Sequence, residues 1–133
     1  IVNENDTVAT DEITEGLIGD NDTLGAIVST AIDADLLILL SDIDGLFTDD
    51  PRVRADAKLI PVVPEITKEL IDHAGGKGTS NGTGGMATKL KAAQISMDAG
   101  VDMVIANGKD PVILYDIVDG KPIGTRFLGK ERI

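Results

Sequence analysis

The chain has 133 residues, 42% of them hydrophobic, which is enough for one domain with a buried core and excludes wholesale disorder. Its formal net charge of −11 would repel a polyanion the size of DNA and argues against nucleic-acid binding, whereas a single nucleotide stays compatible because a few local cations or Mg²⁺ can offset the global field. With no cysteine and no apolar run longer than residues 36–40, it offers no disulfide, no thiolate metal site and no membrane span, which fits a cytoplasmic protein that binds no membrane.

Ile1 and Val2 read as the tail of a strand, so the expectation is a chain that starts inside a domain. Asn3 to Asp6 (NEND) follows as a polar turn, and residues 7–19 read as a loop or irregular hairpin. A helix is predicted from Gly19, Asp20, Asn21 and Asp22 to about Ala34, with Leu24, Ile27, Val28 and Ala31 as its buried stripe at i, i+3, i+4 and i+7. Residues 35–40 read as a short buried strand, ended by Ser41, Asp42, Ile43, Asp44 and Gly45. Residues 59–63 are a possible strand, which Pro61 confines to an edge or an irregular segment. A short helix over 65–74, a glycine-rich loop and a helix over 85–99 come next. In this last helix Met86, Leu90, Ala93 and Met97 are the apolar stripe, and Gly100 is the stop. A strand over 101–106, a helix over 111–118 with Pro111 in its first turn, and a strand over 124–128 complete the chain. Strands alternating with helices predict an α/β layered fold with a mostly parallel sheet. Phe47, Tyr115 and Phe127 are the only aromatic residues, so the core must be built from Ile, Val, Leu, Ala and Met, as suits buried strands.

The most informative stretch is residues 75–89, GGKGTSNGTGGMATK, in which six glycines lead into a helix. Such a loop presents unhindered backbone N–H groups and the positive end of a helix dipole, a natural seat for phosphate. Lys89, expected in the first turn, would reach the same anion. The plain alternative is a Gly/Ser linker. Asp20, Asn21 and Asp22 satisfy a helix N-terminus, yet capping needs one such residue rather than three. Asp22 can orient lysine ammonium groups or a metal, and NEND is either a turn or a seat for an amino-acid ammonium group. Ser41 and Asp42 face the ligand edge at the end of a buried strand, whereas Asp44 before Gly45 reads as an ordinary turn residue. His73 reads as a cation on a helix C-terminus rather than a catalyst. The charged Asp49 and Asp50, and Lys130, Glu131 and Arg132, read as solvated surface.

Taken together, NEND (3–6), GDND (19–22), LLILLSDIDGLFTDDPR (36–52), GTGGMATKLKAA (82–93), IANG (105–108) and GKPIGTRF (120–127) resemble the glutamate 5-kinases, the proline-biosynthesis branch of the amino acid kinase family. The resemblance implies a three-layer αβα sandwich, of which residues 1–133 would be the C-terminal, ATP-binding half. It implies ATP-dependent phosphorylation of L-glutamate to glutamyl 5-phosphate, with Mg²⁺. It implies Asp6 and Asn21 as glutamate-binding residues, and Ser41, Asp42, Thr83, Gly84, Gly85, Met86, Ala87, Thr88 and Lys89 as ATP-binding residues. Lys89 is implied as the lysine that stabilises the moving phosphoryl group, and Asp22 as the aspartate that orients the catalytic lysines. No metal ligand set is implied. Proline as a feedback inhibitor and a homo-oligomer belong to the same resemblance. The family's first glycine-rich loop, its first catalytic lysine, a glutamate-binding serine and its C-terminal RNA-modification-enzyme-like domain have no counterpart in these residues. The expectation is therefore that this chain turns over glutamate only when combined with the missing N-terminal half. The alternatives are another amino acid kinase, of the aspartokinase or acetylglutamate kinase type, and a non-catalytic nucleotide-binding fragment.

Overall fold

A computed structural model describes residues 21–49, 54–74 and 84–130. In chain order these form α1 (Asn21–Ala31), β1 (Leu36–Ser41), β2 (Val62–Val63), α2 (Lys68–Ala74), α3 (Gly84–Asp98), β3 (Asp102–Asn107), α4 (Ile113–Val118) and β4 (Thr125–Phe127). The expected loop over residues 7–19, NEND, the turn at Asp50 and most of the glycine-rich loop lie outside the described residues.

The interior is organised by β3, whose Met103, Val104, Ile105 and Ala106 are all buried. Successive side chains on a strand point to opposite faces, so an unbroken apolar run must be covered on both. Met103 and Ile105 join Ala26, Leu39, Leu90, Ala92, Ala93 and Met97 in one core cluster, the one carrying α1 and α3. Val104 and Ala106 join Ile117 in a second, packed by Leu36, Ile38 and Ile113 beneath α4. The result is the expected αβα arrangement, three layers with the sheet in the middle.

The strand order is β1-β3-β4-β2. β1 and β3 are parallel, with Leu36 opposite Asp102 and Ser41 opposite Asn107. β2 and β4 are also parallel, but β3 and β4 run antiparallel, so the sheet is mixed. The reversal uses Gly124, whose φ of 69° no branched residue would adopt and where a Cβ would stand 2.0 Å from the Ile105 carbonyl oxygen. β2 lies at an end of the described sheet, the edge place that Pro61 demands; Pro61 has no N–H to donate, and its carbonyl accepts from Arg126 N at 2.9 Å. The strand expected over 59–63 is shorter than that, with Leu59 contributing only a bridge to Phe47. The helix expected from residue 65 starts at Lys68, because the Thr67 hydroxyl caps it by accepting from Leu70 N at 3.1 Å.

One sequence expectation is overturned. In α1 the buried residues are Thr23, Gly25, Ala26 and Ser29, whereas Ile27 and Ala31, placed in the apolar stripe, are exposed and Leu24 and Val28 only partly buried. α1 packs directly on α3 and β1. Close approach of two helices selects small side chains at the contact, and here that requirement wins over the periodicity of the large ones. A Cβ at Gly25 would already meet Leu37 Cδ1 at 3.5 Å.

Two polar devices close the structure. The buried Thr125 hydroxyl donates to the Ile60 carbonyl at 2.6 Å and accepts from Leu46 N at 2.8 Å, tying the segment after β1 to β4. At the other end of β3, Asp102 takes two bonds from the Arg126 guanidinium, at 3.1 and 2.8 Å, and one from Gly129 N at 2.7 Å. The Lys130 ammonium beside it holds the Asp98 carboxyl below the usual carboxylate range, but that pair is solvent-exposed and screened.

Replacing Thr125 by Val leaves the Leu46 N–H without its acceptor and is expected to cost about 1–3 kcal/mol in urea unfolding. Ser96 provides the contrast: its buried hydroxyl has no hydrogen-bond partner among the described residues. Ser96→Ala is expected to be neutral or to stabilise by a few tenths of a kcal/mol, roughly the gain in helix propensity.

Candidate active site

Two helix–strand units build one edge of the molecule. In each, a helix turns sharply into a strand that runs back along it: α1 into β1 across residues 32–35, and α3 into β3 across residues 99–101. The N-termini of α1 and α3 therefore lie at the same edge as the carboxyl ends of β1 and β3. Lengths agree, since eleven helical residues span about 16 Å and six strand residues about 20 Å. Ligands of open α/β sheets collect at this edge.

Asp22 stands in the first turn of α1 and meets α3 from across the helix pair. Its Oδ2 accepts from Thr88 Oγ1 at 3.0 Å and from Lys89 Nζ at 3.2 Å. The side chains of Lys89 and Asp22 are only 13% and 20% exposed, so the pair is far less screened than a surface ion pair. α3 starts at Gly84, which puts Lys89 beyond the first turn, where the dipole's influence fades. Lys89 thus stands later in the helix than the first turn expected for it, and its ammonium is paired with Asp22.

The second cluster closes the paired strands. Ser41 and Asn107 are the last register pair of β1 and β3. Beyond them opens a cleft of about 490 Å³ lined by Leu40, Ser41, Asp42, Asn107, Gly108 and Lys109. The Ser41 hydroxyl accepts from Ile43 N and donates to Asp42 Oδ1, both at 3.3 Å, folding the loop back on the strand end. Gly108 N donates to the Ser41 carbonyl at 2.8 Å, and a Cβ at 108 would stand 2.9 Å from Leu40 Cβ, so only glycine permits this approach.

Of the sequence-derived residues, Asp22, Thr88 and Lys89 come together, and Ser41 and Asp42 form the strand-end cleft. Asn21 is the exposed first residue of α1, beside Asp22. Gly84 and Gly85 are the opening residues of α3. Met86 is partly buried and packs against the core, while Ala87 is exposed. Asp6 and Thr83 lie outside the described residues. The sequence reading missed the part played by Asn107, although it quoted the residue in IANG. It also took Asp44 for a turn residue, whereas Asp44 accepts from Asn107 Nδ2 at 3.2 Å.

With this geometry in place, similarity to known proteins is informative. The profile of the amino acid kinase family matches residues 1–107. The chain belongs to the amino acid kinase family. Over 132 residues it is 54% identical to the glutamate 5-kinase of Clostridium perfringens, covering 98% of this chain and 49% of that protein. Over 128 residues it is 57% identical to the glutamate 5-kinase of Caldanaerobacter subterraneus, covering 96% of this chain and 34% of that protein. The chain thus spans about half or less of the length of the curated relatives it matches. Among solved structures, UMP kinase from Bacillus anthracis superposes with a TM-score of 0.64 at 16% identity, over 90% of this chain and 45% of that one, a likeness of fold. The amino acid kinase fold thus accounts for the layer arrangement, and no described helix is long and apolar enough to cross a membrane.

Asp22→Ala removes one acceptor from both Thr88 and Lys89 in a semi-buried place. It is expected to lower stability by about 1–3 kcal/mol in thermal or urea unfolding, and Asp22→Asn, which keeps an acceptor, by less.

Proposed function

We propose that the protein phosphorylates L-glutamate on its side-chain carboxylate at the expense of ATP, and that residues 1–133 form the C-terminal, ATP-binding part of the kinase domain that does so. The observation that carries this reading is the Asp22–Thr88–Lys89 cluster, which sets a fixed, poorly screened cation beside the ligand edge of a family fold. The glutamate 5-kinase relatives support the choice of acceptor.

In the reaction a glutamate carboxylate oxygen attacks the γ-phosphorus. The bond to the β,γ-bridging oxygen breaks, its electron pair leaves with ADP, and an acyl phosphate forms. Little covalent work falls to the protein, so catalysis rests on positioning and on charge neutralisation. Lys89 is the group that meets charge developing on the moving phosphoryl. Asp22 and Thr88 prevent its four-carbon stem from swinging away. In the strand-end cleft, Ser41, Asp42 and the backbone of Gly108 suit the nucleotide, with Lys109 at the rim. Magnesium needs no protein cage for this chemistry, since it travels on the phosphates with one or two carboxylates at most; among the described residues no group of three acidic or histidine side chains gathers. Asp6 and Asn21 are assigned to glutamate, the carboxylate for its ammonium and the amide for its α-carboxylate.

The deciding experiment is glutamate-dependent ADP release and acyl-phosphate trapping with hydroxylamine, on the full-length protein. Aspartate and N-acetylglutamate should fail to replace glutamate, and equal turnover of either would overturn the assignment. Lys89→Ala is expected to lower kcat by about two powers of ten, the loss of one electrostatic donor of about 3 kcal/mol, with the KM for glutamate changed far less. Asn21→Ala and Asp6→Ala are expected to raise the KM for glutamate by roughly ten- to a hundred-fold while the KM for ATP stays near its starting value.

A further inference from the structure

Asn107 sits where three backbone segments meet. Its Nδ2 donates to Asp44 Oδ1 at 3.2 Å and, more weakly, toward the Asp42 carbonyl at 3.5 Å. Its Oδ1 accepts from Lys109 N at 2.9 Å. The Lys109 N–H can only donate, so it fixes which end of the carboxamide is oxygen and leaves the NH₂ group for the acidic loop. Asn107 is thus a two-ended connector. One end holds the loop after β1, the other holds the turn after β3, and the cleft lies between them.

No other side chain of this size performs both tasks. Aspartate at 107 would still accept from Lys109 N but would set a carboxylate against Asp44, and alanine would hold neither side. The strand-end register already brings the two loops close through Gly108 N and the Ser41 carbonyl, so Asn107 need not hold the sheet together. What remains for it to determine is the placing of Asp42 relative to Lys109, the charged residues of the cleft's lining, with Asp44 as the anchor on the loop that carries Asp42.

We propose that Asn107 is a positioning residue for the nucleotide: by bridging Asp44 and the Lys109 backbone it sets the shape and charge arrangement of the strand-end cleft, and through it the affinity for a nucleoside triphosphate. The inference rests on the proposed kinase reading in that it takes the strand-end cleft as the nucleotide seat. Asp44, which looked like a plain turn residue, becomes the partner through which Asn107 acts.

The test uses the full-length protein with Asn107→Ala, Asn107→Asp, Asp44→Asn and the double exchange Asn107→Asp/Asp44→Asn, which restores one donor and one acceptor in swapped places. The probe is magnesium AMP-PNP, titrated by calorimetry, beside steady-state kinetics and thermal melting. Asn107→Ala is expected to weaken AMP-PNP binding and raise the KM for ATP by about ten-fold, the worth of one good hydrogen bond, with a much smaller change in the KM for glutamate. Asn107→Asp should be worse than Asn107→Ala, and the double exchange should recover most of the affinity lost by Asn107→Asp. A double exchange no better than Asn107→Asp would overturn the proposal. So would an Asn107→Ala protein that melts earlier yet binds AMP-PNP as tightly as the parent, or a parent protein that binds no AMP-PNP. A parent that binds AMP-PNP with the expected variant pattern, but phosphorylates no glutamate, would sink the glutamate assignment and leave the role of Asn107 standing.

Discussion

The parallel pairing of β1 with β3 is the constraint on which the rest depends. It aligns six residues in register and stops at Ser41 and Asn107, so both strands deliver their polar ends to one line. Because each strand is the return leg of a helix, the same pairing also fixes where α1 and α3 begin. The carboxylate of Asp22, the ammonium of Lys89, the hydroxyl of Ser41 and the amide of Asn107 come from four elements, yet a single strand register brings them to one edge. Shifting that register by one residue would turn Val104 and Ala106 toward α3 and Met103 and Ile105 toward α4. Both faces of β3 are buried against shape-specific partners, and this is what forbids the slip.

On the proposed kinase reading, a strongly acidic chain must solve a local problem against its global field. The solution here is burial of a few charges. The carboxylate of Asp22 is directed at Lys89, and both are withdrawn from water enough for their geometry to be held. At the cleft, Asp44 is likewise engaged by the neutral amide of Asn107. Engaging acidic side chains with donors of the protein itself keeps them in fixed places at the ligand edge of the sheet.

Much of this was legible from the residues. The apolar run 36–40 and the one over 103–106 announced β1 and β3 because a buried strand shows itself by continuous hydrophobicity. Pro61 marked an edge because it lacks an N–H. Gly100 marked the end of α3 because a glycine stop is local, whereas the start of α2 at the Thr67 cap and of α4 after Pro111 came later than the residues suggested. Other features depended on contacts between distant residues. The bonds of Asp22 to Thr88 and Lys89 span 66 and 67 positions; the residues suggested that Asp22 could orient lysines, and the resemblance pointed to Lys89 as one of the family's catalytic lysines. The antiparallel entry of β4 turns on the conformation of Gly124, which composition does not distinguish from an ordinary turn glycine. The buried face of α1 was misread because periodicity favours large side chains, whereas a close helix contact favours small ones. Asn107 escaped notice because an Asn-Gly pair after a strand is the commonest of turn signals.

The small-residue face of α1 has a bearing on how variants of this protein will be interpreted. Ala26 and Ser29 are buried in α1, which packs on α3, and the spacing of these two helices bears on the distance between Asp22 and Lys89. A bulkier residue at Ala26 would wedge the helices apart and stretch the bond between the two charged groups, whose Asp22 end lies about one helical turn from the change. In a genetic screen such an allele would present as a catalytic lesion, with folded protein and poor turnover, although the altered atom lies wholly inside the core. Sorting alleles by whether they touch Asp22 or Lys89 would misplace it; sorting them by which helix spacing they alter would not.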